Sequence, residues 1–184
     1  MTQYRIFHPQ SSKFVVPNSN SELPVDIEFF TSNVEGTGTA PSFVRELIFS
    51  ESDGEDVDSY FELIPVKRKG KGKGKGWCHI KHVKDGMYVT RFRAPSSSHI
   101  TLWLSDREPK SANRDLFRYQ DEHTRIKCKT SRSSPRRLFW YGYNPTPDTP
   151  VYVVNRHVCQ SHPAAFNFML KEVWMDGITH VQQV

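Results

Sequence analysis

Apolar and polar positions along this chain alternate with a period of two over short runs, and turn-forming residues separate the runs. In PVDIEFF (24–30), Val25, Ile27 and Phe29 share one face, the pattern of a half-buried strand. FVRELIF (43–49) divides similarly, with Phe43, Arg45, Leu47 and Phe49 on one side; a short helix is the alternative there. An opening segment with Tyr4, Ile6 and Phe14 to Val16 apolar reads as a strand, as do YFELIPV (60–66), HITLWL (99–104), residues 124–130, LFWYGY (138–143) and VYVV (151–154). The clearest hairpin is WCHIKHV (77–83) and MYVTRF (87–92) around Lys84-Asp85-Gly86, because Asp-Gly between β-rich runs favours a tight turn. In its second arm Tyr88, Thr90 and Phe92 share one face, and Met87, Val89 and Arg91 the other. SHPAAFNFMLKEVW (161–174) fits both periods. Phe166, Leu170, Val173 and Trp174 make a helical stripe, while Phe166, Phe168 and Leu170 suit a strand.

Short strands about 10–15 residues apart with turns between them predict an antiparallel β-sandwich. The expectation is a mainly β chain: an immunoglobulin-like sandwich over residues 1–120 and a β-rich C-terminal extension over 121–184, with one helix as an option. Phe29, Leu47, Ile64, Ile80, Tyr88, Phe92, Ile100 and Leu102 are the predicted core. No internal repeat of 20–50 residues is visible. KRKGKGKGKG (67–76) is of low complexity, and glycine at every second place makes ordering it costly, so it reads as a mobile loop.

VKDGMYVTRFRAP (83–95) resembles the penultimate strands of a filamin-type immunoglobulin-like repeat, through Asp85, Gly86, Tyr88, Phe92 and Pro95. HITLWLSDREPKSANRDLF (99–117) resembles that repeat's closing strand, and PVDIEFFTSN with GTGTAP (24–41) its opening. The pattern is broken by Thr90, where an apolar residue is usual, and by Ser96 to Ser98 in place of glycine. It leaves 121–184 uncovered. The resemblance implies a module that takes partner segments at an exposed sheet edge, where main-chain bonds supply affinity.

The composition, 36% hydrophobic and 24% charged over 184 residues, excludes collagen-like, coiled-coil and wholly disordered classes. No apolar run approaches the ~20 residues of a membrane span. Cys78, Cys128 and Cys159 are odd in number and far apart, which does not suit a secreted disulfide framework. The start MTQYRIFHPQSSKF lacks an apolar signal core. An intracellular setting, cytoplasmic or nuclear, is the expectation.

Lys and Arg number 25 against 20 Asp and Glu, and the excess is uneven. Lys67, Arg68, Lys69, Lys71, Lys73 and Lys75 fall within ten residues. Over 125–141, Arg125, Lys127, Lys129, Arg132, Arg136 and Arg137 are interleaved with Phe139, Trp140 and Tyr141. Cations interleaved with rings are what a nucleic-acid groove needs: phosphate contacts give salt-dependent affinity, and rings stack on bases. Lys67, Arg68, Lys69, Lys71, Lys73, Lys75, Arg132, Arg136, Arg137 and Trp140 are therefore candidate contacts, with solvated surface charge as the plain alternative. Cys78, His79 and His82, with His157, Cys159 and His162, carry zinc-ligating types but no Cys-x2-Cys pair. There is no Gly-x-Ser-x-Gly elbow and no Gly-Lys-Ser/Thr loop. The expected function is a non-catalytic protein-binding or scaffold module without a cofactor, and the alternative is a nucleic-acid-associated β protein.

Overall fold

A computed structural model describes residues 2–19, 23–24, 43–51, 59–66, 76–93, 99–109, 115–120, 124–130, 137–155, 157 and 160–173. They form thirteen strands: β1 (Gln3–His8), β2 (Lys13–Pro17), β3 (Leu23–Pro24), β4 (Phe43–Ser50), β5 (Tyr60–Pro65), β6 (Cys78–His82), β7 (Tyr88–Arg93), β8 (Ile100–Ser105), β9 (Phe117–Gln120), β10 (Arg125–Cys128), β11 (Leu138–Tyr141), β12 (Tyr152–Asn155) and β13 (Met169–Val173). All are joined in one antiparallel network. Among the described residues no helix is long and apolar enough to cross a membrane.

The strand pairings return on themselves, and this overturns the sandwich. Passing β4, β2, β1, β5, β6, β9, β10, β11, β12, β8 and back to β4 crosses a ladder at every step, so ten strands close a barrel. A sandwich would present two separate facing sheets. The filamin-type resemblance fails with it. Asp85 and Gly86 do form the β6–β7 turn, where Gly86 takes φ +69° and the His82 N–H donates to the Met87 carbonyl at 2.8 Å. Those residues fix a local hairpin and say nothing about what lies beyond it.

The closed network has a three-fold plan. In each of three units the first strand pairs with the second: β1 with β2, β6 with β7, and β10 with β11. Three hairpins, β2–β4, β7–β8 and β11–β12, lean on one another through β4–β8, β8–β12 and the Ile48–Pro150 bridge. The strands β5, β9 and β13 complete the three units, pairing with β1, β6 and, through the Phe168 N–H to the Thr124 carbonyl at 2.6 Å, the start of β10.

Register then aligns residues that the sequence separates widely. The pairs Phe7–Phe14, Lys81–Tyr88 and Lys127–Phe139 occupy one place in each unit. One residue earlier stand Ile6, Ile80 and Ile126, all buried. One residue later stand His8, His82 and Cys128, all fully buried. Across the hairpins Val15, Val89 and Trp140 point inward, opposite Phe49, Leu104 and Val153. Phe61, Phe117 and Phe168 fill a further equivalent layer. At the hairpin apex Leu47, Leu102 and Val151 meet, with Val151 N–H donating to Leu47 O at 2.9 Å and Leu102 N–H to Val151 O at 3.0 Å. Burial of apolar surface at about 25 cal/mol per Å2 makes these layers the main source of stability.

The core corrects the expected inward face of β7. Met87 and Val89 enter the central cluster, whereas Tyr88 is half-buried. Phe92 is buried but lies outside that cluster, and Ile64 and Ile100 are half-buried. Leu47, Ile80 and Leu102 sit in the core; Phe29 and most of the 24–30 segment lie outside the described residues. Residues 161–173 form a 3-10 turn over Pro163–Phe166 followed by β13, and Trp174 lies outside the described residues. A helix there would have turned Phe168 away from its layer.

Candidate functional site

The expected nucleic-acid contacts are placed only in part. Lys67, Arg68, Lys69, Lys71, Lys73, Lys75, Arg132 and Arg136 lie outside the described residues. Arg137 is exposed at the start of β11. Trp140 is fully buried, its ring edge-on to Phe117 and Phe168 with centroids 5.7 Å from each. Strand alternation sends it inward as the equivalent of Val15 and Val89, so the ring is core and offers no stacking surface.

The zinc-ligating types do not converge: among the described residues no three His, Cys, Asp or Glu side chains form a group that could hold a metal. His79 and His82 flank Ile80 on β6 and serve different partners. His79 Nδ1 is 2.8 Å from the Asp115 carbonyl, and His82 Nδ1 bonds Asp85, which also pairs with Arg45 at 3.1 Å. Cys159 lies outside the described residues, and His157 is exposed beside Gln160. Burial pushes the Cys78 and Cys128 thiols up to about 11. Both therefore stay protonated near neutrality and are poor nucleophiles.

Buried charge gathers instead beside β7. Thr90 Oγ1 donates to Asp115 Oδ1 at 2.6 Å, and Arg91 donates to the Lys129 carbonyl at 2.7 Å. Burial raises the Asp115 pKa; the Thr90 hydrogen bond and the charges of Arg107, His79 and Arg91 act the other way. These contacts tie β7 to the chain before β9 and after β10.

The arrangement that faces solvent is at the other end of β11. Among the described residues Tyr143 is the one large apolar side chain that is exposed, at 47%. Its position follows from Gly142, which is packed so closely on the Phe49 ring that no side chain fits. The Gly142 N–H donates to the Ala165 carbonyl at 2.9 Å, stitching the strand end to the 3-10 turn. His162 precedes that turn, and its ring lies 3.9 Å from the Tyr143 ring with the planes 31° apart. Asn144 (φ +41°) and Ser161, the chain neighbours of this pair, are exposed, as are Asp148 (φ +66°) and Gln160 on the same two segments. The two rings lie against each other, and the chain segments that carry them bear exposed amide, hydroxyl and carboxylate groups. Sequence reading sets His162 among the zinc-ligating types and Tyr143 within the 138–143 strand, and names neither as part of a binding surface. Gly142 between aromatic residues, followed by Asn-Pro, was the available signal.

Comparison with known proteins agrees with the three-fold plan. No protein-family model and no curated protein sequence matches the chain. The structure is similar to that of ThreeFoil, a designed 3-fold symmetric protein (TM-score 0.52, 13% identity, covering 91% of this chain and 96% of that one). It is also similar to the Macrolepiota procera ricin B-like lectin in complex with lactose (TM-score 0.51, 11% identity, covering 91% and 93%). The fold thus resembles the β-trefoil of these structures, a closed barrel in place of the expected immunoglobulin-like sandwich.

Proposed function

We propose that this chain is a non-catalytic binding module whose Tyr143–His162 platform takes a saccharide. The observation that carries this reading is the exposed Tyr143 ring, held out of the core by Gly142 and backed by His162. Tyrosine offers a large, rigid, amphipathic surface at low entropic cost. The apolar face of a pyranose would lie on the open side of the ring, and the exposed polar groups on the same two segments, Asn144, Asp148 and Gln160, would supply partners for its hydroxyls. The similarity to a lectin seen with lactose makes lactose the first ligand to try.

Capture of a partner strand at a sheet edge has less support. Among the described strands β3 and β13 each have a single ladder neighbour: β3 is two residues long with Pro24, which has no N–H to give, and β13 is entered from Phe168, whose N–H is already bonded to the Thr124 carbonyl.

Calorimetric titration with lactose and a panel of neutral oligosaccharides tests the proposal. Wild type should bind at least one, and Tyr143→Ala should bind it about 30-fold more weakly, the size of a ~2 kcal/mol aromatic anchor. Equal binding by the two proteins, or none across the panel, would rule it out.

A further inference from the structure

A second surface lies at the opposite end of β11, on the outward side of β9 and β10. Strand alternation buries Ile126 and Cys128 and turns Lys127 outward, directly opposite Arg118. Like charges facing each other across strands oppose pairing, yet this ladder keeps two. Arg137 joins them, close enough that Arg118 and Arg137, together with partial burial, lower the Lys127 pKa. Among the described residues none of the three has a carboxylate partner. Arg125 starts the same strand, but its Nε is buried, so the outward cations of this face are Arg118, Lys127 and Arg137.

We infer that this face, centred on Arg118, Lys127 and Arg137, is a docking surface for the phosphodiester backbone of nucleic acid. Two guanidinium groups supply flat forks suited to phosphate oxygens, and a lysine supplies a point charge between them. Three cations spread over two paired strands and the start of a third suit a polyanion with several charges better than a single compact anion. Gly76 packs against the Arg118 side chain, with an added Cβ 3.4 Å from its Cδ. In the sequence Gly76 directly follows the basic run Lys67 to Lys75, and Arg137 directly follows Arg136. Trp140 is buried, so no stacking on it contributes, and binding should be indifferent to base sequence.

Fluorescence anisotropy tests this with labelled 20-nucleotide single-stranded DNA of two unrelated sequences, a DNA duplex, and heparin as a sulfated comparator. Wild type should bind both DNA sequences equally and weaken steeply with salt, the log–log slope being roughly −0.7 to −0.9 per phosphate engaged. Arg137→Glu should reduce that slope by about 1, and Arg118→Gln with Lys127→Gln by about 2, with affinity at low salt down at least tenfold. The double variant should melt no lower than wild type, because repulsion is removed. Absence of DNA binding at low salt, binding of heparin alone, or DNA binding unchanged in both variants each overturns the assignment.

Discussion

Gly142 lies against Phe49 so closely that a Cβ placed on it would sit 2.8 Å from Cε2 of that ring. Phe49 belongs to the layer shared with Leu104 and Val153, and Tyr143 is the next residue toward solvent. One contact therefore links the packing of the barrel to the position of the exposed ring. Gly142→Ala should cost about 1–3 kcal/mol through overpacking. Denaturant unfolding measures it, and a loss under ~0.5 kcal/mol would mean the Phe49 ring yields freely.

Trp140 is expected to behave as a core residue. Trp140→Ala removes a fully buried ring held edge-on by Phe117 and Phe168, so stability should fall by roughly 3–5 kcal/mol. A variant that folds as well as wild type would place the ring at the surface.

The two faces of β7 should answer differently. On the Met87 and Val89 face, Met87, buried in the central cluster, should cost about 2–5 kcal/mol on mutation to Ala. Half-buried Tyr88, which borders Lys81 and His79, should cost about 1 kcal/mol. The reverse order in urea unfolding would restore the inward face read from sequence.

His8 should make stability depend on pH. Burial lowers its pKa to about 4 from an ordinary value of 6.5, against a smaller opposing effect from the Ala165 backbone. Between these values the unfolded chain binds a proton that the native chain does not, so stability falls as pH drops from about 6.5 to 4 and levels off below. The raised carboxyls of Asp115 and Glu46 act in the other direction. His8→Gln isolates the effect: wild type should lose up to about 3 kcal/mol more than the variant over that window. Parallel pH profiles would show that His8 is not shielded.

The strands were legible because their alternation is local. β4, β5, β6, β7, β8, β10, β11 and β12 all fall where apolar residues recur at every second place. β9 was missed: Phe117-Arg118-Tyr119-Gln120 is short and flanked by charge. Closure was not legible, because ladders such as β6 to β9 join residues 39 apart through single pairs like Cys78 with Phe117. The three-fold plan did leave a trace. Ile6-Phe7-His8, Ile80-Lys81-His82 and Ile126-Lys127-Cys128 are equivalent, and each is followed by an aromatic residue and then a core residue. Unequal spacing hid it, since these triplets begin at 6, 80 and 126, and the first unit carries the long 25–42 and 67–75 stretches. The Tyr143 platform escaped notice because its two rings come from different turns, brought together by the Gly142 to Ala165 hydrogen bond.

The most direct test of the account follows backbone amide resonances while a bound saccharide from the panel is titrated into wild-type protein. Shifts should concentrate at residues 142–149 and 160–166, where the Tyr143 and His162 segments meet. Shifts gathered on any other face, with these two segments silent, would contradict it.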